Sequence, residues 1–355
     1  MRTSDHSKGR VTVAPAPRRA PAPDQPLRIV FGQRTFSDQH AWHDLLDRWR
    51  AEPRLAALAE RVVVETVVQN GLTERLCIGD PPVDVVVPMM SEVTATAIRS
   101  GTFGLIQQFG SGVDRIDLPA AQAAGVWVAN MPGLTAVHVA EHAVALLLAL
   151  ARRLPEADAG FAPGGWGSPA GRSLVGARVC IVGLGAIGTA IAARLAAFDV
   201  ELVGIRRTPP RLETTAGPVR RVLGLDSLHA ELARADAVII AANHERGRPP
   251  VIDRAAIAAM KPGALLVNIA RGALLEDTAA AEAVRSGHLD GLALDVFPTE
   301  PYPEAGPLRG HPRIITTAHT AALTDGYFQR AGTRLADAVR RYLDRLPPDG
   351  LVQPT

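Results

Sequence analysis

The sequence predicts an α/β chain of two domains, each built on a parallel sheet. Three observations carry this. Short runs rich in Val, Ile and Leu recur along most of the chain, and segments with apolar residues at helical spacing separate them. One run, 179–182, leads directly into Gly183-Leu184-Gly185-Ala186-Ile187-Gly188. Strands alternating with helices imply a parallel sheet covered on both faces. At 355 residues and 47% hydrophobic content the chain has core enough for two such domains.

Taken in order, residues 1–26 mix Arg, Pro, Ala and Ser without the continuous apolar stretch of a secretory signal, and their Ala-Pro repeats read as a disordered, partly extended tail. Strands are expected at 27–31, 62–64, 83–87, 104–109 and 126–129, with a helix at 41–58 interrupted by Pro53. After the turn Asn130-Met131-Pro132-Gly133, residues 135–153 form one long helix, apolar on nearly all sides and so buried on more than one. A Gly/Pro-rich arm at 159–171 carries Trp166, and an exposed Trp-bearing arm argues for a homodimer. Strands follow at 179–182, 200–205, 237–240, 264–268, 291–294 and 314–317, and a last helix at 326–346 returns to the first domain. The domains are therefore placed at 27–134 with 319–355, and at 135–318.

Composition excludes several classes of function. A net charge of +2 gives no reason to expect nucleic acid or an anionic membrane as partner. The longest apolar run, 143–151, is too short to span a bilayer. Cys77 and Cys180 stand alone in apolar surroundings, so neither a disulfide framework nor a metal site is suggested, and a cytoplasmic location is the default.

The glycine run has the setting a dinucleotide fingerprint requires: strand, turn, helix, strand. Gly183 allows the tight turn, Gly185 lets backbone approach a pyrophosphate, and Gly188 lets the helix pack on the sheet. The N–H groups opening the helix at Ala186 and Ile187 then face the phosphates. A site for NAD(H) places an acid at the end of the next strand, to hold the ribose 2′-OH. Here that strand ends in Ile205-Arg206-Arg207, and two guanidiniums suit a 2′-phosphate. NADP(H) is therefore the favoured cofactor, with NAD(H) the alternative.

Three polar residues lie beyond the carboxyl ends of later strands, where open parallel sheets bind ligands. Arg271 follows Ala270, Glu300 lies past the strand at 291–294, and His319 follows the strand at 314–317. Singly each has an ordinary explanation: a turn, a solvated loop acid, a satisfied strand-end histidine. Together a cation, a carboxylate and an imidazole beside one cofactor are the parts that hydride transfer to a keto acid needs.

These motifs, with Gly110-Ser111-Gly112-Val113-Asp114, Ala140-Glu141-His142, Val267-Asn268-Ile269-Ala270-Arg271-Gly272 and Leu294-Asp295-Val296-Phe297, closely resemble the D-isomer-specific 2-hydroxyacid dehydrogenases over nearly all of 27–346. The resemblance implies a Rossmann dinucleotide-binding domain inserted in a discontinuous flavodoxin-like substrate domain, and a dimer built through the long helix and arm. It implies that Arg271 holds the substrate carboxylate and keto oxygen, that His319 exchanges a proton with the substrate oxygen, and that Glu300 orients His319 and favours its imidazolium. Backbone N–H groups at Ser111 and Gly112 would bind the carboxylate, Asp295 would contact the nicotinamide carboxamide, and Ala270 would lie against the cofactor.

Two departures stand out. Ala318 replaces the family's Pro before the catalytic His, and 241–248 lack its usual Pro and Thr near the cofactor; His244 and Arg246 there could add to a 2′-phosphate site. Met89 and Met90 read as an adaptable apolar wall for the substrate side chain. No cation lies between Phe109 and Asp114, and no regulatory domain follows the last helix, so a small monoanionic 2-keto acid such as glyoxylate or hydroxypyruvate is preferred to a phosphorylated one. The alternatives are a formate- or phosphite-type dehydrogenase with the same triad, and a cofactor-sensing corepressor-like protein.

Overall fold

The computed structural model describes residues 16–33, 39–68, 71–167, 169–208, 217–245 and 247–352. The chain divides into two compact units. One comprises residues up to Pro132 together with those from Phe328 onward, and the other is Gly133–Tyr327. The second division thus falls nine residues beyond 318, so His319 shares a unit with Arg271 and Glu300. The reason is local: the Asp295 carboxylate accepts the N–H groups of Thr320 and Ala321.

In the first unit, among the described residues, β1 (Leu27–Gln33), β2 (Val62–Val68), β3 (Val85–Val87), β4 (Leu105–Gln107) and β5 (Trp127–Ala129) form a parallel sheet in the order β2-β1-β3-β4-β5. This is the flavodoxin-like order. Every residue of β3, β4 and β5 is buried, which is why these strands read as unbroken apolar runs rather than alternating ones. The expected helix at 41–58 is split into Gln39–Ala51 and Ala56–Ala59, Pro53 lying in the break. After the last helix, Asp325–Leu343, the chain pairs with β5: Asn130 N–H donates to Gly350 O at 2.9 Å and Val352 N–H to Val128 O at 2.8 Å.

The reading of a disordered tail to Pro26 is corrected over 16–26; residues 1–15 lie outside the described residues. The Arg18 guanidinium donates to the carbonyls of Ile98, Gly101 and Phe103 at 2.6–2.9 Å and lies over the Phe103 ring. Two of these carbonyls come from the end of the helix Ala95–Ser100, where backbone acceptors lack helical donors. Arg19 pairs with buried Asp84 at 3.3 Å. The Ala-Pro composition hid an arginine with a carbonyl cage to fill. Arg18→Ala is expected to destabilise the first unit by about 2 kcal/mol, because three partly buried acceptors lose a charged donor. Thermal unfolding of the variant against the parent checks this.

In the second unit β6 (Arg178–Val182), β7 (Glu201–Ile205), β8 (Arg221–Leu223), β9 (Ala237–Ile240), β10 (Ala264–Asn268), β11 (Leu289–Leu294) and β12 (Ile314–Thr316) form a parallel sheet in the order β12-β11-β10-β9-β6-β7-β8. Alternate residues enter opposite core layers. Cys180, Val182, Val238, Ile240 and Leu266 pack on one side, and Val179, Ile181, Ile239, Leu265 and Val267 on the other. Burial pushes the Cys180 thiol up to about 12, which makes it a packing residue. The order reverses between β9 and β6, so a crevice opens beyond the carboxyl ends of these two strands.

The long helix spans Ala136–Ala151 and buries nine residues, including Ala140, Ala143, Leu147 and Leu150, against the sheet and the helix Ala186–Leu195. Only its line Val137, Glu141 and Ala145 is exposed. Beyond it Phe161 and Trp166 are 71% and 89% exposed, with their rings 6.0 Å apart. No helix among the described residues is long and apolar enough to cross a membrane.

Candidate active site

The glycine turn sits where the strand order reverses. Gly183 has φ +104°, and a Cβ there would lie 2.5 Å from Ala242 Cα, because the chain leaving β9 closes over the turn. A Cβ on Gly188 would collide with Gly183 O, so helix and turn are in direct contact. Gly185 differs: a Cβ there meets nothing within 4 Å. Two glycines are therefore required by packing, and the third leaves open space in front of a helix whose first N–H groups have no side-chain cap. With Ala186 exposed and Ile187 half-buried beside it, this is a cradle for an anionic group.

Beyond β7 the two arginines part company. Arg206 is exposed, and its guanidinium has no partner among the described residues, while its N–H holds Leu223 O at 2.9 Å. Arg207 is paired with Glu245, whose other oxygen takes Arg248 Nε at 3.0 Å. The hydrogen bond from Arg207, with the charges of Arg207 and Arg248, holds the Glu245 carboxyl below the usual range. So the acid missing from the end of β7 is supplied from beyond β9, and one of the two cations expected to be available is already engaged. His244 keeps a buried Nδ1 with no hydrogen-bond partner among the described residues, and Arg246 lies outside them.

Past β10, the fully buried Asn268 shapes the next turn. Its Oδ1 accepts Ala270 N–H at 3.1 Å and its Nδ2 donates to Arg271 O at 3.0 Å. Arg271 is left half-buried with Nη1 on Ala270 O at 2.8 Å. The following Gly272 touches the loop after β11 so closely that a Cβ would run into the backbone of Phe297 and Pro298. Phe297 N–H in turn donates to Glu300 Oε1 at 3.1 Å. Two strand-end loops are thereby pressed together, one bearing Arg271 and the other Glu300.

His319 completes the group. Its Nδ1 lies 3.0 Å from both Glu300 oxygens; the carboxylate side chain is 4% exposed and the imidazole 21%. A carboxylate accepts only, so Nδ1 carries the proton and Nε2 is left to exchange one. The His319 backbone has φ +56°, a conformation that costs a non-glycine residue roughly 1 kcal/mol or more. What holds it is Asp295. Its carbonyl takes His319 N–H at 2.7 Å, and its carboxylate takes Thr317 Oγ1 at 2.6 Å, Thr320 N–H at 2.8 Å and Ala321 N–H at 3.0 Å. At 1% exposure, with these donors on both oxygens, Asp295 holds the loop.

In the first unit the loop 88–91 and the turn 110–112 are tied together by neighbouring side chains. Gln108 Nε2 donates to Met89 O at 3.0 Å and Arg115 Nη1 to Met90 O at 3.2 Å. Met89 has φ +55°, and both methionines are half-buried. Ser111 is exposed, with its carbonyl held by Asn130 Nδ2 at 2.9 Å, and Gly112 is half-buried. No cation lies between Phe109 and Asp114, but Arg115, the residue after that stretch, reaches the methionine loop with its guanidinium.

A family model described as D-isomer specific 2-hydroxyacid dehydrogenase, NAD binding domain, matches residues 144–321. The D-3-phosphoglycerate dehydrogenase of Mycobacterium leprae is 36% identical over 82% of this chain, which spans only 54% of that relative's length. The hydroxypyruvate reductase of Thermotoga maritima is 33% identical over 74% of this chain and 86% of its own. Among solved structures, an NADPH-dependent glyoxylate/hydroxypyruvate reductase from Sinorhizobium meliloti, in complex with NADP and malonate, superposes with a TM-score of 0.74 at 26% identity, covering 92% of this chain and 97% of the other.

Proposed function

Since the chain belongs to the D-isomer-specific 2-hydroxyacid dehydrogenases, we propose that it reduces a small 2-keto acid to the D-2-hydroxy acid, with NADP(H) as the favoured cofactor and NAD(H) as the alternative. The observation that carries this reading is the His319–Glu300 pair, with Glu300 on a loop pressed against the one that bears Arg271.

The dinucleotide fits the cradle at Gly183, Gly185 and Gly188, where the open side of Gly185 and the N–H groups at Ala186 and Ile187 receive the pyrophosphate. When bound, its nicotinamide supplies the hydride that reaches C2 of the substrate, with Ala270 and Asp295 at the strand ends beside it. Arg271 holds the substrate carboxylate and polarises the keto oxygen, using the fork geometry of the guanidinium. His319 Nε2 gives its proton to that oxygen and takes it back in the reverse direction. Glu300 fixes the ring through Nδ1 and balances the imidazolium charge. In the first unit the N–H groups of Ser111 and Gly112 are assigned to the substrate carboxylate, and Met89 and Met90 to its side chain. The exposed Phe161 and Trp166 support a homodimer.

The test is cofactor oxidation followed by absorbance, with NADPH and NADH each against glyoxylate, hydroxypyruvate, pyruvate, bulkier 2-keto acids and 3-phosphohydroxypyruvate. Turnover of an unphosphorylated acid is expected, and activity confined to the phosphorylated one would overturn the substrate assignment. The cofactor preference has its own check. Arg206→Asp is expected to lower kcat/KM with NADPH by about tenfold or more and with NADH little, since a charged hydrogen bond to a 2′-phosphate is lost. Glu245→Gln should shift preference the other way, toward NADPH, by about two- to fivefold, because Arg207 is released from an exposed ion pair. Equal effects of each change on both cofactors would sink the assignment.

A further inference from the structure

The Ala140-Glu141-His142 segment takes no part in the chemistry above, yet His142 reaches the loop that bears His319. From the helix Ala136–Ala151 its Nε2 stands 2.9 Å from Thr317 Oγ1 and 3.6 Å from Asp295 Oδ1. Thr317 Oγ1 is 2.6 Å from that same Asp295 oxygen. The proton directions follow. A hydroxyl has one proton to give, and an ionised carboxylate only accepts. Thr317 therefore donates to Asp295, and its oxygen must accept from His142, so His142 carries its proton on Nε2.

This chain ends on the residue from which the His319 loop hangs. Asp295 receives Thr317 on one side of His319, Thr320 and Ala321 on the other, and His319 itself through the backbone. The suspended residue has φ +56°, so the loop has a more relaxed backbone available whenever its ties weaken. A ring on a rigid, buried helix that fixes the direction of the Thr317 hydroxyl also fixes which Asp295 lone pairs serve the loop amides.

We propose that His142 is a positioning residue for the reaction: acting through Thr317 and Asp295, it holds the His319 loop in the conformation that pairs His319 with Glu300. The proposal rests on the reading of His319 as the proton donor.

Two variants at 142 and one at 317 test it, with kcat, both KM values and amide hydrogen exchange over 317–321 as readouts. His142→Phe keeps a ring but no donor, and is expected to lower kcat about tenfold with both KM values unchanged, as a misplaced catalytic group does. Its Thr320 and Ala321 amides should exchange faster. His142→Gln, whose amide can donate from nearly the same place, should restore kcat and exchange. Thr317→Val cuts the chain in the middle and should give the same loss, with the double variant His142→Phe/Thr317→Val losing no more.

Full turnover in His142→Phe or Thr317→Val overturns the proposal, as does a loss that His142→Gln does not repair or that falls equally on KM. A His319→Gln control separates the two levels. If that control retains turnover, the reading of His319 fails and the proposal with it. If it is inactive while His142→Phe is unimpaired, only the role of His142 falls.

Discussion

His319→Gln is expected to lower turnover of a 2-keto acid by about 10²- to 10⁴-fold, the usual contribution of a positioned proton donor, while dinucleotide binding stays as it was. The asymmetry follows from where the groups sit. The cradle at Gly183–Gly188 lies beyond β6, and His319 lies beyond β12, at the far edge of the same sheet. Glutamine can still offer an amide to Glu300 and so spare the loop, but it has no nitrogen that can give a proton to the substrate oxygen and take it back. Fluorescence titration with NADPH or NADH, beside steady-state kinetics, reads both halves. Retained turnover would remove His319 from the mechanism, and lost cofactor binding would mean that the change had disturbed the sheet.

Gly272→Ala should be nearly as damaging without removing a single functional group. The added Cβ has to displace the backbone of Phe297 and Pro298, which cannot swing aside as a side chain would. Overpacking of this kind costs about 1–3 kcal/mol in stability. Its larger effect falls on activity, since the loops driven apart carry Arg271 and Glu300, and a displacement near 1 Å costs about 10²-fold in rate. Thermal unfolding and kcat measured on one preparation check it: a small drop in melting temperature with a large drop in kcat is expected. Unchanged kcat would show that the two loops need not touch for the site to work.

The parts of the site legible in the sequence are those fixed by local spacing. The glycine run announces itself because turn, cradle and helix contact need a missing Cβ within six residues, and Arg271, Glu300 and His319 each follow a recognisable strand. What spacing cannot carry is pairing between strand ends far apart in the chain. Arg207 and Glu245 meet because β7 and β9 both flank β6, so the neutralising acid was invisible from the end of β7 alone. That Asp295 also holds the loop at 317–321 was invisible, because nothing local says that its oxygens accept from Thr317, Thr320 and Ala321. Arg18 was lost in a Pro- and Ala-rich stretch because its partners are carbonyls, which no side-chain pattern reports. The short β8 passed unnoticed since only Val222 of its three residues is buried.

The division of the first unit into two chain segments sets an order on its manufacture. Its last strand, β5, is paired by residues 350–352, and the helix Asp325–Leu343 lies almost entirely within it, whereas Gly133–Tyr327 is one uninterrupted stretch. On the ribosome the amino-terminal strands emerge first and then wait, roughly 10–40 s at ordinary elongation rates, while the intervening unit is made. The inserted unit can close over its own sheet during that interval. The earlier segment of the first unit is the one that finishes folding last, and in the meantime it has an apolar sheet still to cover.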